Sequence, residues 1–374
     1  MTSRQRVNTA LQHKEPDRVP FDLGSRSSAI EIEAYRDLRR FLDMPPGGSC
    51  FIRSHAEIDE PVAERLRIDT RWIRSIPSEA WSNQDGDDIF TDRWGVPWRK
   101  KKGQLYYELD HSPLAEKAVD DLGSSVWPPL VDDETLQDMA AKARNFDNLA
   151  QGAEYSLSCD LIGAGVVERA WYLRGFENFM LDMMCEEKAT HAYLRRIVDH
   201  QLAGYEAILG NIGNSIETVW ITDDIATQES LMFSPDLYRR LIKPYQKELL
   251  DFIQSAGVKV VFHSCGAVRP LLPDLIEIGV RIFHPLQTTA RNMDPVALKR
   301  DFGQELVFWG GGCETETLQF GTQTEVEEEV KQRIDILAPG GGFIFCPTHC
   351  IQPHTPPENI ITMVDALYRY GGYG

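Results

Sequence analysis

Several apolar runs in this chain of 374 residues end in side chains that ligate metals or move protons. "VKVVFHSC" (258–265) closes on His263 and Cys265, and "VWITDD" (219–224) on Asp223 and Asp224. His284 and Gln287 end "RIFHPLQ" (281–287), Cys313 and Glu314 follow "LVFWGGG" (306–312), and His349 and Cys350 end "FIFCPTHC" (343–350). One histidine at a strand end is usually a hydrogen-bonded structural residue. The same chemistry at the ends of successive runs is hard to assign to chance.

Alternate residues of a strand point to one side, so His263 and Cys265 can reach a single ion. Zn–N and Zn–S bonds of about 2.0–2.3 Å suit that convergence. A structural zinc would show closely spaced cysteine and histidine knuckles, which the sequence lacks. Ligands drawn from different strands, with an open coordination position, form the catalytic pattern. The competing account is a buried thiol beside a core histidine.

A third ligand is needed, and Cys313 leads because the glycines before it let the backbone bend toward the centre. His349 and Cys350 compete; adjacent residues on an extended segment face opposite ways, so at most one of them joins the ion unless the backbone turns. Asp223, Asp224 and Glu314 are candidates for orienting a ligand or protonating a leaving oxygen. Of the aspartates, one is expected to be functional and the other to cap the following turn. His284, Gln287, His349 and Trp94 are the candidate substrate-binding residues. Cys346 lies inside a strand as a core residue, and Cys50, Cys159 and Cys185 are expected to pack.

These residues need a scaffold that brings strand ends together. After residue 150, apolar runs rich in β-branched residues alternate with amphipathic stretches of helical length. That alternation argues for a parallel sheet covered on both faces. The number of units suits a (β/α)8 TIM-type barrel, in which the loops after the strands form the active face. "RVPFDLG" (18–24) reads as a first strand, preceded by a helix capped by Thr2 or Ser3. Helices are predicted over 234–257, with Ser234 as cap and Gly257 as stop, and over 324–339, with Thr324 as cap and Gly340 beyond its end. Residues 80–130 alternate aromatic and polar side chains and read as an inserted β-hairpin or small sheet carrying Trp81, Trp94, Trp98 and Trp127. The chain is thus read as one barrel domain spanning 1–374, with 80–130 as an insertion or lid.

The 39 Lys and Arg against 57 Asp and Glu, a net charge of −18, argue against a nucleic-acid or anionic-membrane partner. The seven cysteines are odd in number and scattered, unlike a disulfide framework. No signal peptide and no apolar run of about 18 residues is visible. A cytoplasmic location is expected. The glycine-rich stretches lack phosphate-loop spacing.

Over almost its whole length the sequence resembles the uroporphyrinogen decarboxylase superfamily, and within it the zinc-dependent corrinoid methyltransferase branch. The resemblance rests on "RQRVNTALQHKEPDRVPFDLG", "LRGFENFMLDM", "TDDIATQESLMFSPDLYRRLIKPY", "HSCGAVRPLLPDLIEIGV", "GGGCETETLQFGT" and "APGGGFIFCPTHCIQPHTPPENI". It implies a (β/α)8 fold, a His-x-Cys zinc motif matched by His263 and Cys265, and a corrinoid protein as partner. The branch's later cysteine aligns with His349, and Cys350 follows it, so the third ligand stays open among Cys313, His349 and Cys350. The decarboxylases' arginine-rich loop is reduced here to Arg26, a poor anchor for a substrate bearing eight carboxylates.

The implied function is transfer of a methyl group between a small methylated substrate, such as an aryl methyl ether, or a thiol acceptor and a corrinoid protein. The tryptophan-rich insertion is either a satellite cluster or a wall for an aromatic or corrinoid group. The rival reading is a metal-free decarboxylase of the same fold, in which an aspartate drives ring protonation.

Overall fold

The computed structural model describes residues 1–52, 54–75, 89–101, 104, 107–148, 155–160 and 164–374. A short antiparallel pair, β1 (Cys50–Ile52) and β2 (His55–Ala56), precedes the first strand of the main sheet, β3 (Thr70–Ile73). The insertion supplies β4 (Ile89–Thr91), β5 (Pro97–Arg99) and β6 (Glu108–Leu109), a three-stranded antiparallel sheet. Then come β7 (Ser156–Cys159), β8 (Thr218–Thr222), β9 (Lys259–His263), β10 (Ile282–His284), β11 (Val307–Trp309) and β12 (Phe343–Ile344). The main sheet has the order β12-β11-β10-β9-β8-β7-β3, and its pairs are parallel.

Its two edges are joined by residues 20–22. The Phe345 N–H donates to the Pro20 carbonyl (2.9 Å), Asp22 N–H to that of Phe345 (2.9 Å), and Asp69 N–H to that of Phe21 (2.8 Å). The stretch expected as a first strand therefore makes only bridge-length pairing, yet it supplies the eighth stave of a closed α/β barrel.

Period-two alternation separates two cores. On β9, Val260 and Phe262 face the large shell between strands and helices, while Val261 joins Trp72, Trp220, Ile282, Val307, Trp309, Ile344 and Cys346 inside the barrel. Val7, Ala10 and Leu11, on and just after the first helix (Ser3–Ala10), belong to the same interior cluster. Three tryptophans fill the interior, and two have polar partners at Asp22. Its buried carboxylate accepts from Trp72 Nε1 (3.1 Å), Trp309 Nε1 (3.1 Å), Ser28 Oγ (3.1 Å) and the Thr70 hydroxyl. Sequence reading had no signal for Asp22, because its partners come from distant segments.

Helix boundaries follow local chemistry. Thr2 caps the first helix in a capping box with Gln5. The helix placed at Thr324 instead begins from Thr322, whose side chain accepts from the Glu325 N–H while Glu325 reaches back to it. The spacing Thr-x-x-Glu selects Thr322, so this boundary is corrected by two residues. Ser234 caps the 234–257 region as expected, but the run passes through a π-turn at Tyr238–Ile242 before Lys243–Ser255. Pro244 has no N–H to donate, and the wider turn lies directly before it.

Candidate metal site

The active-face loops gather a small set of donors. His263 is the last residue of β9, and Cys265 follows in the loop, two residues on. His263 Nε2 lies 3.6 Å from Cys265 Sγ and 3.7 Å from Asp224 Oδ1. The three ligand atoms all lie within 4.8 Å of one another. Bonds of about 2.0–2.3 Å in a tetrahedron place ligands about 3.3–3.8 Å apart, and the separations of His263 Nε2 from Cys265 Sγ and from Asp224 Oδ1 both fall in that range. Asp224 is locked by the Cys265 N–H, which donates to its Oδ1 at 2.7 Å. Burial, then the charges of His349 and Arg26, lowers the His263 pKa to about 3, so the ring is the neutral imidazole a metal requires. Burial and then Asp224 and Glu168 push the Cys265 thiol well up; a cation here would reverse that balance.

The cluster opens on a cavity of about 530 Å³ lined by Arg26, Glu168, Tyr172, Asp224, His263, Gln287, Thr315 and His349, among others. Gln287 faces it, with its Oε1 accepting from the Gly266 N–H at 2.7 Å. His349 is exposed into this space, whereas Cys350 is 1% exposed, with Sγ 3.4 Å from the Arg26 carbonyl oxygen. Burial raises the Cys350 thiol, but His55 and His349 outweigh it and bring the pKa to about 6.

The adjacent aspartates have opposite surroundings. Asp223 is fully buried and accepts from the N–H groups of Val166 (3.0 Å), Val167 (2.8 Å) and Glu168 (3.0 Å), and from Gln246 Nε2 (2.7 Å). It caps the helix Val166–Arg174 from another strand. Gly165 permits the approach, since a Cβ there would stand 2.6 Å from the Asp223 side chain. Asp223, expected as a catalytic candidate, has no face toward the cavity. Asp224 does, with its side chain 33% exposed.

That capped helix delivers a residue the sequence reading missed. Glu168 lines the cavity and accepts from Tyr172 OH at 2.9 Å. Burial, followed by Asp224 and Asp223, raises its pKa to about 8, so it carries a proton at neutral pH. The available signal was its place shortly after a strand-like run, on the same active face.

Other candidates lie apart from the cluster. Cys313 is buried, and its Sγ contacts Glu329 Oε2 at 3.8 Å; Glu314 is 7% exposed and accepts from the Thr288 N–H at 3.0 Å. Neither belongs to the three-donor group: after the glycine turn that follows β11, Cys313 points to Glu329 on the helix Gln323–Leu337 and the Glu314 carboxylate to Thr288. Replacing Cys313 by alanine is accordingly expected to leave zinc stoichiometry unchanged, as measured by metal analysis of the purified variant; loss of zinc would place Cys313 in the ligand set.

His284, expected to touch substrate, is 0% exposed and sits behind His263. Trp94, likewise expected at substrate, is 3% exposed. Its ring packs on Trp127 (4.9 Å), on His200 (4.9 Å) and under the Arg169 guanidinium (4.8 Å). Trp98 packs on Tyr172 (5.0 Å), so the insertion backs the cavity wall at one remove. Trp81 lies outside the described residues. Cys346 is buried inside the barrel and Cys159 in the shell, but Cys185, expected to pack, is exposed at the end of its helix. Among the described residues no helix is long and apolar enough to cross a membrane.

A family model described as uroporphyrinogen decarboxylase (URO-D) matches residues 163–370. A methylcobamide:CoM methyltransferase of Methanosarcina barkeri is 27% identical over 219 residues, covering 58% of this chain and 56% of its own. A uroporphyrinogen decarboxylase of Syntrophotalea carbinolica is 30% identical over 139 residues, covering 37% of this chain and 38% of its own. The chain spans about half the length of the curated methyltransferase it matches. The solved structure of a methyltransferase from Methanosarcina mazei shares the fold, with a TM-score of 0.65 at 18% identity over 99% of both chains.

Proposed function

This chain belongs to the uroporphyrinogen decarboxylase (URO-D) family, and from that premise we propose that it is a zinc-dependent methyltransferase working with a corrinoid protein. The observation that carries the reading is the Asp224–His263–Cys265 cluster opening on the polar cavity. Asp224, His263 and Cys265 would hold the ion, with His349 facing the same space. Zinc bound there would supply Lewis-acid polarisation of a thiol or an ether oxygen.

The chain's own residues do the rest. Asp224, fixed by the Cys265 N–H, presents a carboxylate to the cluster. Glu168 holds a proton at its carboxyl, oriented by Tyr172, and offers it to a leaving oxygen. Gln287 and Arg26 supply polar contacts for the substrate. Tyr172 is the one benzenoid ring among the described lining residues, and Trp94 and Trp127 pack on each other. That lining favours a small polar methyl donor or a thiol acceptor over an aryl methyl ether. It also disfavours porphyrinogen decarboxylation, since Arg26 is the single arginine among the described lining residues.

The test combines zinc analysis of the purified protein with a screen of thiols against methylated cobalamin, and of methylamines and methoxylated aromatics against reduced cobalamin. Stoichiometric zinc and transfer with a thiol or small polar donor are expected. A zinc-free protein inactive with every pair would overturn the proposal.

A further inference from the structure

The groups behind His263 form an ordered line running into the barrel. His263 and His284 are register partners on β9 and β10, so their side chains leave the sheet on the same side. Their rings meet edge to edge, with centroids 4.9 Å apart, planes 28° apart and the two Nδ1 atoms 2.6 Å from each other. His284 Nε2 in turn lies 3.6 Å from Cys346 Sγ.

The His284 ring has little freedom. The Trp220 ring lies 4.7 Å away, and Gly310 closes the edge. A Cβ on Gly310 would come within 2.9 Å of His284 Cδ2 and 3.2 Å of Cys346 Sγ. Gly310 also has φ +96°, so two demands at this position select glycine.

Two imidazole nitrogens 2.6 Å apart share one proton, one donating and the other accepting, and with one proton on each ring the line can be ordered in either direction. Two arrangements satisfy the line. In one, His263 Nδ1–H donates to His284 Nδ1, and His284 Nε2–H points at Cys346 Sγ. In the other, every bond is reversed and His263 Nε2 carries the proton, which blocks it as a ligand. Only the first leaves a lone pair on His263 Nε2, the atom facing Asp224 and Cys265.

We propose that His284 is a positioning residue that accepts the His263 Nδ1 proton and so aims the His263 Nε2 lone pair at the metal position. This inference rests on the metal-site reading above. Metal-bound histidines commonly hand their other ring proton to a carboxylate or carbonyl; here a second imidazole, ending on a buried thiol, takes that place. Because it acts through His263, His284 touches neither metal nor substrate.

The experiment measures zinc affinity of the full chain by chelator competition, for wild type, His284→Leu, His284→Asn and Cys265→Ser. Loss of such a partner typically costs 10–100-fold in metal affinity, and that weakening is expected for His284→Leu. Asparagine places an oxygen near the Nδ1 position, so His284→Asn should stay within about threefold of wild type on the same scale. Cobalt-substituted samples add a spectroscopic readout: altered ligand-field bands for the leucine variant and wild-type bands for the asparagine variant. Should His284→Leu not fold, His284→Gln, which has no acceptor at the Nδ1 position, replaces it with the same expectation. Wild-type zinc affinity in the leucine or glutamine variant, with weakening in Cys265→Ser, would overturn the role of His284 alone. Wild-type protein binding zinc no better than Cys265→Ser would overturn the metal site and this role together.

Discussion

Replacing His263 by alanine and Cys265 by serine together is expected to strip the zinc and lower methyl transfer by about 10³-fold or more. Lewis-acid stabilisation by a bound cation is worth several kcal/mol, and each 1.36 kcal/mol is a factor of ten in rate. The pair supplies two of the three donors that converge within 4.8 Å. No other described group of three ligand-type residues stands ready to replace them. The damage should be confined to the site, because Cys265 is partly exposed in the loop after β9 and His263 lines the cavity. Metal analysis and the absorbance change of cobalamin on methyl exchange check the two halves separately. Full zinc occupancy or unimpaired transfer in the double variant would sink the assignment.

The second large effect separates two neighbours. Asp223→Ala is expected to destabilise the protein by roughly 3–5 kcal/mol, whereas Asp224→Ala should cost about 1 kcal/mol or less. Asp223 is the acceptor for three backbone N–H groups at a helix start and for Gln246, all buried. Removing it strands these donors away from water, and an unsatisfied buried group costs about 1–3 kcal/mol. Asp224 makes one backbone bond and is a third exposed, so water replaces what alanine removes. Denaturation midpoints by circular dichroism measure the first quantity, and zinc affinity should show the opposite ranking only for Asp224→Asn against Asp223→Asn. Equal destabilisation by the two alanine variants would refute this division of labour. Asp223→Ala should also disturb Glu168, which rides on the helix that Asp223 caps.

These contrasts mark how far one-dimensional reading reaches. The barrel was legible because buried parallel strands read as near-continuous apolar runs and helices punctuate them with caps. The active face was legible too, since strand ends in such a barrel share one side and polar residues there stand out against the apolar runs. His263 and Cys265 were readable as a pair because same-side spacing along an extended segment is a local property. The helix start at Thr322 was equally local, and the Thr-x-x-Glu spacing carries it.

What separates Asp223 from Asp224 is not local: the helix start that Asp223 caps lies 57 residues earlier in the chain. Cys313 and His284 both sit just beyond or at strand ends, as candidates should. The glycine turn sends Cys313 to Glu329, and the register of β10 against β9 turns His284 onto the back of His263. Trp94 was drawn away from the cavity by Trp127, His200 and Arg169, partners that no spacing within 80–130 reveals in full. The sequence by itself therefore determined the barrel, its active face and the His263–Cys265 pair, all consequences of short-range periodicity. Only the tertiary structure decided that Asp224 completes the donor cluster, that Glu168 shares its cavity and that His284 stands behind it, because strand register and cross-chain hydrogen bonding choose which neighbours meet.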